Sequence, residues 1–188
     1  MATFKRWLVV ASERREIEKI ADRERWTIVI SGPGARAVEK ALGKKMDVEG
    51  IISTGFCGAL DPALKVGDIV TSEIVCSDRV IVTVEEKREL RKKTGAAAVD
   101  MESAALSRIA GEWGVPFRSI RAVSDTAEED MPLDFNLYRG ADGSFSRSRI
   151  ALAALRRPFT AVPALLRLDR NCKLAAERLG EYFAHCSL

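Results

Sequence analysis

Short apolar stretches alternate with amphipathic ones along this chain, a pattern that predicts strands and helices in turn. Apolar runs at residues 7–11, 27–30, 48–53, about 69–76 and 79–84 predict strands. Helices are predicted at 35–42 and 85–93, and the charged 85–93 segment is expected to be a solvated face. Because the two kinds of element alternate, the sequence predicts an α/β fold.

The longest informative stretch, residues 96–126, reads AAAVDMESAALSRIAGEWGVPFRSIRAVSDT. A short apolar strand delivers Asp100 and Glu102 to the start of a helix, and a second strand, 117–123, ends next to Asp125. In open α/β sheets ligands bind at the carboxyl ends of the strands. We therefore expect two carboxylates to meet over one ligand and to carry out acid/base chemistry.

Two earlier segments carry weaker signals. Glu13 and Glu16 are predicted to open a helix after the first strand, and their simplest interpretation is compensation of the helix dipole. The turn at 31–34 and the segment 54–60 place glycines after predicted strands, which permits close approach of a ligand. A plain loop explains either segment equally well.

The C-terminal third changes character. Residues 128–143 predict a surface loop that folds over the site, followed by helices at 146–156 and from Pro163 to about 184. A stripe at helical spacing should dock the last helix on the core: Leu165, Leu168, Cys172, Ala175, Leu179 and Phe183. From 147 to 178 there are eight basic and two acidic residues. That surface is interpreted as a solvated face, a subunit contact or a membrane-surface helix.

Composition narrows the function classes. The 188 residues are 47% hydrophobic and 30% charged, which is typical of a single globular domain spanning 1–188. Thirty basic residues nearly balance 27 acidic ones, without the interleaved aromatics of a nucleic-acid surface. The apolar run at 7–11 is too short for a signal peptide or a membrane span.

The four cysteines are far apart, which favours reduced thiols in a cytoplasm and argues against a zinc site. His185 is the only histidine, so histidine-based triads and metal sites are nearly excluded. Catalysis would fall to carboxylates, and neither a metal nor another cofactor is predicted.

Three segments together resemble the purine and uridine nucleoside phosphorylase superfamily: STGFCGALDPALKVGDIV (53–70), AVDMESAAL (98–106) and VPFRSIRAVSDTA (115–127). Within it they are most similar to methylthioadenosine/S-adenosylhomocysteine nucleosidases. The segment ALRRPFTAVPALLRLDRN (154–171) is similar to hopanoid-associated phosphorylase-like proteins. The resemblance implies a three-layer α/β/α sandwich with a central mixed sheet, a nucleoside substrate and a homodimer.

The resemblance also implies roles for individual residues. Asp125 would protonate or hydrogen-bond N7 of the leaving purine, with Ser124 supporting the base. Glu102 would bind the ribose hydroxyls, and Glu16, or alternatively Glu13, would orient the attacking water. The remaining substrate-binding positions that it implies are Met101, Asp100, Ile81, Val80, Phe56, Cys57 and Gly58.

Cleavage of an N-ribosidic bond passes through an oxocarbenium-like transition state, which two carboxyl groups can assist. Asp125 must then hold or share a proton near neutral pH, whereas Glu102 should be ionised to strengthen its hydrogen bonds to the sugar. The chemistry expected from the residues agrees with the roles implied by the resemblance.

Related phosphorylases hold phosphate with an arginine and a hydroxyl residue, and the corresponding places here are Ser53 and Phe56. Loss of both groups favours water as the nucleophile. The sequence therefore predicts a nucleosidase that releases adenine from a 5'-substituted adenosine, either small or lipid-linked. Two alternatives stay open, namely a phosphorylase and a non-catalytic nucleoside-binding protein.

Overall fold

A computed structural model describes residues 6–21, 23–140 and 144–186. In that part of the chain, seven strands form one mixed sheet with helices packed on both faces. The predicted α/β class and three-layer arrangement are confirmed.

The strands are β1 (Trp7–Ala11), β2 (Trp26–Ile30), β3 (Ile51–Ala59), β4 (Ile69–Val70), β5 (Ile74–Cys76), β6 (Ala98–Asp100) and β7 (Phe117–Asp125). The helices are α1 (Ala35–Ala41), α2 (Val84–Thr94), α3 (Ser103–Trp113), α4 (Arg147–Leu155) and α5 (Ala161–His185). Short 3-10 turns occur at Arg14–Glu16, Arg23–Arg25 and Phe135–Tyr138.

The long strands β3 and β7 are parallel partners at the centre of the sheet. The first half of β3 also pairs with β1, which pairs in turn with β2, and these contacts are parallel. The last residues of β3 pair antiparallel with β6, and β6 pairs with β5. Since β1, β3 and β7 run in the same direction, their carboxyl ends lie along one edge.

Successive side chains of a strand point to opposite faces of the sheet, so the hydrophobic core has two parts, one on each face. Leu8, Val10 and Ile51 pack against α1 and α3, whereas Val9 and Ile52 pack against α5. The predicted α5 stripe docks through its second half, where Cys172, Ala175, Leu179 and Phe183 are buried. None of the helices within the described residues is both long and apolar enough to cross a membrane.

Four local predictions differ from the structure. The single strand predicted at about 69–76 is divided into β4, which pairs with β7, and β5, which pairs with β6. The segment 54–59 continues β3 instead of forming a loop, because it pairs with β7 and β6. Residues 79–83 form no strand, since the Asn136 side chain hydrogen-bonds both backbone groups of Val80. After Glu13 the chain makes a single 3-10 turn, Arg14–Glu16, in place of a helix.

The loop after β7 packs along residues 80–84. Met131 N donates to Val82 O over 2.8 Å, and Val84 N donates to Asp130 Oδ1 over 2.8 Å. The predicted loop 128–143 therefore lies against the start of α2, and its residues 141–143 are outside the described part of the chain.

Candidate functional site

An irregularity at the end of β7 positions the predicted acid. Cys57 pairs with Val123 and Gly58 pairs with Asp125, so Ser124 is an extra residue in the register. Such a bulge redirects side chains at a strand end. Ser124 Oγ thereby lies 2.8 Å from Asp125 Oδ1 and 3.2 Å from Cys57 O.

Asp125 is held from its other side by a buried lysine. Lys87 Nζ donates to Asp125 Oδ2 over 2.7 Å, and the lysine side chain is only 1% exposed. The same ammonium group donates to Thr126 O and Glu129 O over 2.6 and 3.0 Å. The expectation that 85–93 is only a solvated face is therefore wrong at Lys87, which belongs to the site.

Glu16 reaches the same edge of the sheet from the turn after β1. Its Oε2 accepts hydrogen bonds from Ser12 N, Ser12 Oγ and Glu13 N, and its Oε1 accepts from Phe56 N over 3.2 Å. Burial raises the pKa of Glu16, although these hydrogen bonds and Arg121 act in the opposite direction. A buried carboxylate held in this way is suited to act as a base towards water.

Arg121 lies in β7, is 0% exposed and joins the acidic groups. Its Nη2 lies 2.6 Å from Asp100 Oδ2 and 3.5 Å from Glu102 Oε2, and it also donates to Ser53 Oγ over 2.6 Å. Its Nη1 donates to Thr54 O over 2.8 Å. Arg121 is therefore the counter-ion around which these carboxylates are packed.

Asp100 was predicted to bind substrate, and the structure gives it another position. Its side chain is 0% exposed and accepts hydrogen bonds from Ser103 N and Ser103 Oγ at the start of α3, besides its ion pair with Arg121. Because its side chain has no exposed surface, Asp100 orients Arg121 and caps α3 and presents no atom to a ligand.

Glu102 connects the elbow before α3 with the turn before α1. Its Oε1 accepts a hydrogen bond from Gly34 N over 2.8 Å. Gly34 has a φ of 87°, a left-handed conformation that favours glycine, and a Cβ there would collide with the Arg139 guanidinium. The glycine turn thus provides a backbone hydrogen bond that holds the Glu102 carboxyl group in place.

The charge state of Glu102 differs from the expectation. Burial raises its pKa to about 7, with Arg121 opposing that rise and the neighbouring Glu16 and Asp100 adding to it. The carboxyl group is therefore partly protonated near neutral pH, whereas the sequence led us to expect an ionised group.

The other residues predicted to contact the substrate differ in how exposed their side chains are. Met101, Phe56 and Ile81 are half-buried, and Met101 lies beside Gly34. The Cys57 side chain packs in the core and burial raises its pKa, so only its backbone faces Ser124.

The two remaining positions are defined by their backbone. Val80 is held by Asn136 through both of its backbone groups. At Gly58 a Cβ would lie 3.0 Å from Asp125 Oδ2, so the absence of a side chain there makes room for the acid.

The sequence analysis missed Lys87 and Arg121, although a signal existed for each. Lys87 follows Val84 by three residues and precedes Leu90 by three, so it lies on the apolar face of α2. Arg121 interrupts a strand that is buried at its neighbours Ile120 and Ala122. A charge on a buried face requires an opposite charge nearby.

A separate concave surface, with a volume of about 450 Å³, lies away from these groups. It is lined by Leu60, Pro62, Arg88, Arg91, Lys92, Gly95, Ala127 and Glu128 and includes none of the carboxylates described above. We place the candidate site by its chemistry, because convergent buried acids with two buried counter-ions are more informative than volume.

Comparison with known proteins agrees with this fold. Residues 73–156 match the family model of the Phosphorylase superfamily. Over 112 residues the chain is 32% identical to a 5'-methylthioadenosine/S-adenosylhomocysteine nucleosidase of Shewanella sp. (strain W3-18-1). That alignment covers 56% of this chain and 39% of the relative, so the chain spans about two fifths of the curated protein it matches.

Solved structures extend the likeness over nearly the whole fold. Futalosine hydrolase of Helicobacter pylori strain 26695 has a TM-score of 0.67 at 13% identity, covering 96% of both chains. The 5'-methylthioadenosine/S-adenosylhomocysteine nucleosidase of Helicobacter pylori, with butyl-thio-DADMe-Immucillin-A, has a TM-score of 0.67 at 14% identity, covering 97% of both. The fold is that of a nucleoside phosphorylase-like protein. The predicted resemblance to the phosphorylase superfamily is confirmed, and the curated relatives are nucleosidases.

Proposed function

We propose that this protein is a nucleosidase that hydrolyses the N-ribosidic bond of a 5'-substituted adenosine and releases adenine. The observation that carries the proposal is the convergence of Asp125, Glu102 and Glu16 at one sheet edge, each less than 9% exposed. Glycoside hydrolysis needs an acid for the leaving group and a carboxylate that activates water, and Asp125 and Glu16 supply these, with Glu102 available for the sugar.

Asp125 serves the leaving group. Its carboxylate is fixed by Lys87 on Oδ2 and faces the Ser124 hydroxyl with Oδ1. Asp125 takes up a proton from solvent, passes it to N7 of the departing adenine and returns to the carboxylate that pairs with Lys87. Lys87 acts as a positioning residue that does not touch the substrate. General acid catalysis of this kind contributes about 10²–10⁴-fold to the rate.

Glu102 binds the sugar, and Glu16 activates the attacking water. As positive charge develops on the ribose, an ionised Glu102 strengthens its hydrogen bonds to the hydroxyl groups. Glu16, whose pKa is raised by burial, accepts a proton from the attacking water. The water oxygen forms the new bond to C1' as the bond from C1' to the purine breaks, and the purine leaves with the proton supplied through Asp125.

The arrangement favours hydrolysis over phosphorolysis for an electrostatic reason. Phe56 N, a backbone donor in the part of β3 where the resemblance would place a phosphate, is already used by Glu16 Oε1. Ser53 replaces the expected arginine, and its hydroxyl accepts a hydrogen bond from Arg121. A phosphate would meet Glu16 and Glu102, whose charges Arg121 and Arg15 offset only in part, and like charges repel.

The test is release of free adenine from methylthioadenosine, S-adenosylhomocysteine, 5'-deoxyadenosine and adenosine, with and without phosphate. We expect release without phosphate from at least one substrate, and a loss of about 10²-fold or more in the Asp125→Asn variant. Asn preserves the shape of the side chain but cannot pass a proton.

Exposed Asp169→Asn provides the matched control and should retain full activity. Adenine release that depends on phosphate would replace the nucleosidase with a phosphorylase. Binding without turnover, unaffected by Asp125→Asn, would indicate a nucleoside-binding protein. Which group is attached to the 5' carbon would follow from the ranking of substrates, and sedimentation would test the dimer that the resemblance implies.

A further inference from the structure

Helix α4, the turn at 156–160 and the first part of α5 form a corner that projects from the fold, here called the α4–α5 corner (residues 147–170). Four large apolar side chains are exposed on it: Leu152 at 59%, Leu155 at 66%, Phe159 at 93% and Leu166 at 57%. Of the α4 residues, only Ala154 is buried. Such a cluster marks an interaction surface.

The same corner is strongly basic. Six arginines, at positions 147, 149, 156, 157, 167 and 170, and one acid, Asp169, lie in this segment, and Arg147 and Arg167 pair with Glu13 and Glu129 outside it. All six arginines are exposed, and residues 155–160 are exposed without interruption. Exposed apolar side chains together with several exposed arginines are typical of a helix that lies on an anionic lipid surface.

We propose that the α4–α5 corner docks on the surface of an anionic lipid bilayer, with Leu155 and Phe159 inserted between acyl chains and the arginines at the level of the lipid phosphates. Charge complementarity selects this occupant over a second copy of the chain. A two-fold contact through the corner would bring the arginine cluster of one copy against that of the other. Lipid phosphates neutralise the cluster instead.

Both arms of the corner border the candidate site. Arg147 on α4 pairs with Glu13, three residues before Glu16, and Arg167 on α5 pairs with Glu129, whose carbonyl accepts from Lys87. Docking would therefore hold the carboxylates close to the membrane surface. This consequence rests on the proposed function, whereas the docking itself does not.

The experiment is flotation of the purified protein with vesicles of phosphatidylcholine mixed with phosphatidylglycerol, and with vesicles of phosphatidylcholine alone. We expect binding to the anionic vesicles only, weakened by added salt. Arg156→Glu with Arg157→Glu should reduce vesicle partitioning about 30-fold or more, since each basic residue at an anionic surface contributes about 1 kcal/mol. Leu155→Ser with Phe159→Ser should reduce it about tenfold or more.

Matched controls separate this surface from general effects of charge. Arg36→Glu with Lys40→Glu makes the same change in net charge on the exposed side of α1, and Ile30→Ser removes an exposed apolar side chain elsewhere. Both controls should float like the wild type, and all variants should keep the wild-type melting temperature.

Three outcomes would overturn the proposal. The first is no flotation with anionic vesicles, and the second is an equal loss in the α1 control. The third is a concentration-dependent dimer that the corner variants abolish, without vesicle binding, which would make a second copy the occupant. Adenine release from soluble substrates by the corner variants tests the nucleosidase separately, because none of these positions is in the site.

Discussion

Replacement of Glu102 by glutamine tests the electrostatics of the site through folding stability. Burial raises the pKa of Glu102 from 4.5 to about 7, so the stability linked to this group is fully present below pH 4.5 and is lost as the pH rises through about 7. At about 1.4 kcal/mol for each pKa unit, the loss amounts to about 3 kcal/mol. Glutamine keeps an oxygen for Gly34 N and carries no charge at any pH.

Urea denaturation of the wild type and of Glu102→Gln, over the range from about pH 4.5 to about pH 8, gives the free energies of unfolding. We expect the variant to gain about 3 kcal/mol relative to the wild type between the two ends of this range. Other titrating groups cancel in that difference to a first approximation. Glu112→Gln, an exposed change on α3, should show a pH-dependent difference below about 0.5 kcal/mol.

A constant difference between the wild type and Glu102→Gln over the whole pH range would refute the reasoning. It would mean that Glu102 ionises in the folded protein as easily as in the unfolded chain. A decrease of the difference with rising pH would reverse the sign and make Arg121 the dominant influence on this group.

Two further predictions concern packing and the buried ion pair. Gly180→Ala should destabilise the protein by about 1–3 kcal/mol, because its Cβ would lie 2.5 Å from Lys19 O. Gly111→Ala on α3, where nothing lies within 4 Å, should stabilise it by about 0.5–1 kcal/mol, as urea denaturation would show. Lys87→Met should lower the free energy of unfolding by about 3 kcal/mol or more, because Asp125 would stay buried without its cation. Adding Asp125→Asn to this variant should recover part of the lost stability.

These predictions fail in distinct ways. Equal melting temperatures for the two glycine variants would show that α5 can move away from Lys19 at little cost. Additive effects of Lys87→Met and Asp125→Asn would show that the ion pair contributes nothing beyond its separate parts.

The sequence predicted the parts of the fold that depend on local pattern. Strand β1, at Trp7–Ala11, was predicted with its observed bounds because a strand buried on both faces is a continuous apolar run. The second half of β3 was missed because Thr54, Gly55 and Gly58 are typical of loops. Their strand conformation depends on pairing with β7 and β6, which are far away in sequence.

The acids of the site were predicted from the sequence, whereas the pattern marked their counter-ions only as buried charges without identifying their partners. Asp100, Glu102 and Asp125 stand at element ends, where position alone suggests exposure to a ligand. Burial of Arg121 and Lys87 depends on which carboxylates the fold brings next to them, at separations of 21 residues for Asp100 and 38 for Asp125. Periodicity within one element carries no information about such partners.

Lys87 also restricts what can replace it. An ammonium group has three N–H bonds, and all three are used, on Asp125 Oδ2 and on two carbonyl groups of the loop that follows. The planar guanidinium of arginine cannot point donors in the same three directions, and a neutral side chain leaves at least one acceptor empty. Among the natural amino acids only lysine can neutralise the Asp125 carboxylate and also donate to the carbonyl groups of Thr126 and Glu129. Position 87 should therefore tolerate no substitution in a functional library.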